Sequence, residues 1–181
     1  MGMLVSSSLS SPRLFLRNLD CHIDDLSRYL SWMRDEESNP FIEGVDKTIT
    51  YEDLQNYVHS KNNSSDALLL GIFARDTNLH FGNIKLEPLN VNGEAYLGIL
   101  IGDVAFRNLG YGFESIYCLL NYAFNELSIN QVNLGVDLDN LSAVRLYKKI
   151  GFLPNGELSR SGDSVVMSLT KDSFKRLFIT K

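Results

Sequence analysis

The stretch Arg107-Asn108-Leu109-Gly110-Tyr111-Gly112 has the residue types and spacing with the plainest chemical meaning in the chain. It follows an apolar run, Ala95 to Ile101, and precedes a strongly helical pattern from Phe113 to Leu127. This reads as strand, short loop and helix, with glycines where the loop becomes helix. Glycine lets a backbone approach a ligand closely or take dihedrals that other residues resist. The first turn of a helix has unpaired N–H groups and the positive end of the dipole, so an anion such as a phosphate is welcome there. A tight structural turn would need the same glycines. Further on, Tyr147 is a phenol with a proton to donate, on a helix that begins near Asn140. It fits the apolar stripe of that helix as well. Glu94 and Asp103 are carboxylates flanking the apolar run, and Glu114 lies one turn into the first helix.

The elements that must position these groups follow from periodicity. Arg13 to Arg17 alternates and suggests a first strand. From Asp24, the residues Leu26, Tyr29, Leu30 and Met33 recur at helical spacing. Glu36 to Lys47 reads as a loop. Thr50 before Asp53 fits a capping signal for a helix over Tyr51 to His59, and Lys61 to Ser65 reads as a turn. Three strands are expected over Ala67 to Ala74, Leu79 to Leu86 and Ala95 to Ile101, joined by short connections that make them antiparallel neighbours. The helix from Phe113 has one apolar stripe to pack on the sheet. Val132 to Val136 returns as a strand parallel to the third hairpin strand. A helix from Asn140 stops at Gly151. Phe152 to Pro154 and Ser164 to Leu169 close the sheet. The expected fold is a single α+β domain over 12–176, a mixed sheet of six or seven strands with helices on both faces, after a loose tail at 1–11.

Composition narrows the function. The 181 residues are 44% hydrophobic, enough for one good core. The formal charge of −5, with no basic cluster, argues against nucleic-acid binding. Cys21 and Cys118, with three scattered histidines, fall in no metal-ligand spacing, so no metal is expected. No apolar run approaches the roughly 18 residues of a membrane span, and no basic leader opens the chain, so a cytoplasmic protein is expected.

Two motifs in order then give a resemblance. Arg107-x-x-Gly110-x-Gly112 resembles the Gln/Arg-x-x-Gly-x-Gly/Ala signature of the Gcn5-related N-acetyltransferase (GNAT) superfamily. Asn140-x-x-Ala143-x-x-x-Tyr147-x-x-x-Gly151-Phe152 resembles its second block. Tyr96-Leu97-Gly98-Ile99 and Asp163-x-x-x-Met167-Ser168-Leu169 are similar to the branch of ribosomal-protein and spermidine N-acetyltransferases. The resemblance implies a mostly antiparallel sheet with a splayed parallel pair, acetyl-CoA as cofactor and direct transfer of acetyl to an amine. It implies pyrophosphate contacts from Asn108, Leu109, Gly110, Tyr111 and Gly112 with Arg107 beside them, and pantetheine contacts from the strand at Leu97, Ile99 and Ile101. Asn140 and Tyr147 would border the thioester, Tyr147 as general acid. Several relatives have a glutamate in the strand before the asparagine block, but Leu134-Gly135-Val136 stands there and Gly135 can abstract nothing. Glu94 and Asp103 are the remaining candidates for a base, beside a water relay. A small-molecule amine or amino sugar is the favoured acceptor. A protein or peptide N-terminal amine is one alternative, a non-catalytic acyl-CoA-binding module the other, and either a monomer or a homodimer is compatible.

Overall fold

The computed structural model describes residues 9–35, 40–41, 48–89, 92–158 and 164–178. The strands are β1 (Leu9–Ser10), β2 (Leu14–Arg17), β3 (Leu68–Ala74), β4 (His80–Leu89), β5 (Glu94–Ile101), β6 (Gln131–Asp137), β7 (Leu153–Leu158) and β8 (Ser164–Thr170). The helices are α1 (Ser27–Arg34), α2 (Tyr51–Asn63), α3 (Tyr111–Glu126), α4 (Leu141–Ile150) and α5 (Lys171–Phe178). All eight strands form one sheet in the order β1-β2-β3-β4-β5-β6-β8-β7. Its pairs are antiparallel except β5 with β6, the parallel neighbours expected from the intervening helix.

The sheet has a core on each face. On the first face α3 buries Ile116, Leu119, Leu120, Ala123 and Phe124 at helical spacing. With α4 and α5 it covers Leu70, Ile72, Ile84, Leu97, Val132, Leu134 and Met167. On the second face Leu26, Tyr29 and Trp32 of the α1 region and Leu54 and Val58 of α2 pack on Leu69 and Phe73. Strand β3 is buried at every position because both faces are covered there. The start of α2 is fixed by a complete capping box: Thr50 Oγ1 accepts from the Asp53 amide at 3.1 Å, and Asp53 accepts from the Thr50 amide at 2.9 Å. Among the described residues no helix is long and apolar enough to cross a membrane.

Four features differ from the sequence expectation. The eighth strand is β1, whose Leu9 and Ser10 lie within the segment read as tail; two residues are too few for a period to show. Helix α2 runs through Asn63, into the polar stretch read as a turn, and β4 runs to Leu89 across Glu87 and Pro88. Helix α5 was not expected; it is mostly polar and is held by the buried ring of Phe174.

Candidate active site

The parallel pair creates the central opening. Strands β5 and β6 are in register only at Glu94 with Gln131, Ala95 with Val132 and Tyr96 with Asn133. Beyond these, β5 continues to Ile101 against β4, and β6 continues to Asp137 against β8. The two strands therefore part, and the backbone groups of Leu97 to Ile101 that face β6 lack a strand partner. Such groups need hydrogen bonds from something else. The Leu97, Ile99 and Ile101 side chains go to the first face, with the main core, so only their backbone borders the gap.

The loop from β5 to α3 is shaped by specific contacts. Asp103 caps a 3-10 turn, Val104–Phe106, by accepting from the Ala105 amide at 3.0 Å. The Arg107 guanidinium turns back onto the strand end, donating to the carbonyls of Ile101 at 2.9 Å and Gly102 at 3.1 Å. It fixes the loop's exit from the sheet. Asn108 and Gly110 both take left-handed backbone conformations, φ 59° and 87°, which glycine accepts without strain and asparagine with little. Glu114 is the first amide to bond within the helix, donating to the Gly110 carbonyl at 3.2 Å. The amides of Tyr111, Gly112 and Phe113 thus precede the helical ladder at its positive end. Gly112 is needed for closeness: a Cβ there would stand 3.1 Å from Leu146 of α4. These features fit a pyrophosphate.

One participant was missed from the sequence. Arg13 of the β1–β2 turn donates through Nε to Glu114 at 2.8 Å and through Nη1 to the Leu109 carbonyl at 3.0 Å. Its guanidinium lies 4.3 Å from the centre of the Tyr111 ring, and its Nη2 lies 3.3 Å from where a Gly110 Cβ would be. Ser11 also donates to Glu114. Burial alone would raise the Glu114 pKa, but the hydrogen bonds from Ser11 and Arg13 and the arginine charge outweigh it, so this carboxyl sits below its ordinary range. Read locally, Arg13 is one residue of an alternating strand; its pairing with Glu114 spans a sequence separation of 101, and nothing in the local pattern signals it.

The second motif lies on the same face. Asn140 is the N-cap of α4, its Oδ1 accepting from the Ala143 amide at 3.1 Å and the Ser142 hydroxyl at 3.0 Å. The left-handed Gly151, φ 108°, ends the helix, and the Tyr147 carbonyl accepts from both the Gly151 and Phe152 amides. Tyr147 is 8% exposed and meets the Phe152 ring edge-on at 6.0 Å. Burial pushes its pKa up to about 12. Among the described residues its hydroxyl has no hydrogen-bond partner.

The two candidate bases are differently placed. Asp103 spends one oxygen on the Ala105 amide and the other on an ion pair with Arg28 of α1. Glu94 starts β5, on the second face and below the point where the strands part; it accepts from Asn133 Nδ2 at 3.4 Å. Most of the loop from Glu36 to Lys47 lies outside the described residues, as does Asp163 of the last motif. Trp32 is buried, packed so tightly on Gly102 that a Cβ there would stand 2.0 Å from its ring, so its face is not open to a ligand.

Comparison with known proteins agrees with this geometry. An acetyltransferase (GNAT) domain model matches residues 13–153. An N-acetyltransferase 9-like protein of Nematostella vectensis is 26% identical over 147 residues, covering 81% of this chain and 65% of that protein. The spermine/spermidine N(1)-acetyltransferase of Bacillus subtilis is 28% identical over 78 residues, covering 43% of this chain and 51% of that protein. The matches thus span between half and two thirds of these relatives' own lengths. Among solved structures, spermidine N-acetyltransferase from Vibrio cholerae, in complex with CoA and spermine, superposes with a TM-score of 0.78 at 20% identity, covering 91% of this chain and 99% of that one. A GNAT-family acetyltransferase from Bacillus anthracis gives 0.76 at 20% identity, covering 92% and 99%. The splayed strands, the glycine loop opening α3 and the match over 13–153 together place this chain in the GNAT acetyltransferase family, acyltransferases whose acyl donor is acetyl-CoA.

Proposed function

We propose that the chain transfers acetyl from acetyl-CoA directly to a primary amine of a small molecule, with 12–176 as the working domain. The observation that carries this reading is the convergence on one face of the gap after Tyr96 and Asn133, the α3 amides at Gly110 to Gly112, and the buried phenol of Tyr147. The spermine/spermidine acetyltransferase among the relatives supports a small amine as acceptor.

The donor supplies an activated acetyl thioester. The chain's own groups then have separable tasks. The amides of Leu109 to Gly112 and the helix dipole hold pyrophosphate charge, and Arg107 and Arg13 keep that loop in shape. The backbone of Leu97 and Ile99, with that of Ile101 beside the carbonyl Arg107 holds, hydrogen-bonds an extended amide-bearing arm as a neighbouring strand would. Its N–H groups also give preorganised donors for negative charge developing on a carbonyl oxygen. Asn140 caps α4 and so sets where Tyr147 points. Tyr147 donates its hydroxyl hydrogen to the departing sulfur. The incoming ammonium must lose a proton before its lone pair can attack. With both oxygens of Asp103 engaged, that proton passes to solvent, with Glu94 a carboxylate on the second face.

Acetyl-CoA turnover against amino sugars, polyamines and peptide N-termini, followed by thiol release, tests the reading. Transfer to at least one small amine is expected. Measured acetyl-CoA binding with no turnover above hydrolysis for any amine would replace it with an acyl-CoA-binding module.

A further inference from the structure

Helix α1 and the start of α3 lie on opposite faces of the sheet, yet both are tied to the end of β5. Gly102, buried at the strand's exit, packs against the Trp32 ring of α1, where a Cβ would stand 2.0 Å from the nearest ring atom. The next residue, Asp103, forms an ion pair with Arg28, one turn earlier on α1. The Arg28 guanidinium lies 5.9 Å from the centre of the Trp32 ring, so both contacts come from one side of the helix. The Asp103 amide donates to the Phe81 carbonyl at 3.1 Å, and its carboxylate caps the turn that leads to Arg107.

The same short stretch carries the glycine loop. Arg107 donates to the Gly102 carbonyl at 3.1 Å, and so rests on the residue that Trp32 packs against. On the first face Phe106 stacks on Phe81 with ring centres 4.2 Å apart, and the Tyr111 ring meets them at 5.3 and 5.1 Å. Trp32 is itself seated edge-on to the buried His80 ring at 5.1 Å. The chain from Gly102 to Tyr111 is thus pinned from both faces of the sheet, and the amides that open α3 follow directly.

Resting on the reading of Leu109 to Gly112 as the pyrophosphate loop, we propose that α1 positions that loop from the opposite face, with Arg28 and Trp32 as its positioning residues. Both act through the loop. Arg28 fixes Asp103 and Trp32 fixes Gly102, and together they set the direction in which the chain leaves β5. The ion pair is part exposed, Arg28 at 43% and Asp103 at 18%, so its share is that of a surface pair. Such coupling is reciprocal: if docked α1 favours the bound donor, the bound donor favours docked α1.

Calorimetry with CoA on Arg28→Met, Asp103→Asn and their double variant tests this, beside Gly110→Glu as the control for the loop. Asparagine keeps an oxygen for the Ala105 amide. Each single variant should raise the Kd for CoA about 2- to 5-fold, and the double variant should be no weaker than either single. A bare charge effect on an anionic ligand has another pattern, weaker binding in Arg28→Met and tighter binding in Asp103→Asn. Trp32→Phe, with a smaller ring against Gly102, should raise the Kd about 5-fold. Trp32 is the only tryptophan in the chain, so acrylamide quenching of its emission reads the docking of α1. Quenching should be stronger in Arg28→Met than in wild type, and should fall back when CoA saturates the variant. An unchanged Kd in Arg28→Met or Trp32→Phe, tighter binding in Asp103→Asn, or quenching in Arg28→Met indifferent to CoA overturns the proposal. If Gly110→Glu abolishes CoA binding in that case, the loop reading stands without α1; if Gly110→Glu binds CoA normally, both fall.

Discussion

Tyr147→Phe separates the two things a buried tyrosine can do. The variant keeps the ring against Phe152 and removes only the hydroxyl, which has no hydrogen bond to the described residues. Folding stability should change by less than ~1 kcal/mol, since no intramolecular bond is lost. The catalytic effect follows from the raised pKa. With the phenol at about 12 and an ordinary thiol near ~8.5, complete proton transfer to a free thiolate is uphill by roughly 12 − 8.5 = 3.5 units, about 5 kcal/mol. Tyr147 therefore acts as a hydrogen-bond donor to sulfur as charge builds, with the proton moving late. A hydrogen bond to a charged group is worth ~1.5–3 kcal/mol, so kcat should fall about 10- to 100-fold, and KM for acetyl-CoA should hardly move. The same burial moves the alkaline limb. The working form is the protonated one, so wild-type kcat should not fall through pH ~10, where an exposed tyrosine would ionise. Thiol-release kinetics from pH 6 to about 10, with an acceptor for which chemistry limits the rate, test both points. Full kcat in Tyr147→Phe would refute the reasoning and return the residue to a packing role.

Three further outcomes are expected. Gly110→Glu, at φ 87°, adds backbone strain of ~1–2 kcal/mol and a carboxylate at the anion-binding amides; calorimetry on the folded variant should find acetyl-CoA binding abolished, and an unchanged Kd would remove the loop from the site. Arg13→Lys keeps the charge but cannot span Glu114 and the Leu109 carbonyl together; KM for acetyl-CoA should rise ~3- to 10-fold with kcat nearly constant, and a loss confined to kcat would show that Arg13 does not shape the loop. Because the folded-state pKa of Glu114 lies below its ordinary value of 4.5, its ion pair stabilises the fold above that pH and the contribution is lost as pH falls through the depressed pKa. Denaturation of wild type and Glu114→Gln should therefore converge in acid, and curves parallel from pH 7 to 3 would contradict the assignment.

Much of the fold was legible because local chemistry and global packing agree. The stripe on α3 and the Thr50–Asp53 box each state their own structure, and the helix between β5 and β6 enforces their parallel pairing. Gly110 and Gly151 announce their left-handed turns by type. What stayed hidden depends on partners distant in the chain. Leu9 and Ser10 become a strand because β2 offers an edge, and α5 forms because Phe174 finds the core. Arg13 reaches Glu114 across most of the domain. The glycine loop and the helix that holds Tyr147 were legible as local structure, because their motifs are contiguous. The gap beyond Tyr96 and Asn133 was not, since it exists only once two strands have parted. The contacts of Asp103 with the Ala105 amide and Arg28 were not legible either, since the loop's fold sets both.

The pairing of β6 with β8 reaches past the residues that the family model matches. The family match ends at residue 153, yet β6 is paired along its whole length, Gln131 to Asp137, with Thr170 back to Ser164. One arm of the opening thus borrows its rigidity from a strand outside the residues that the family model matches. A chain cut at the end of the match would leave β6 with three partners on β5 and its other edge exposed from Gln131 to Asp137. Such an edge invites pairing with other molecules. The smallest piece that can hold the opening at a fixed width therefore extends through β8, and through the buried Phe174 that anchors α5 behind it.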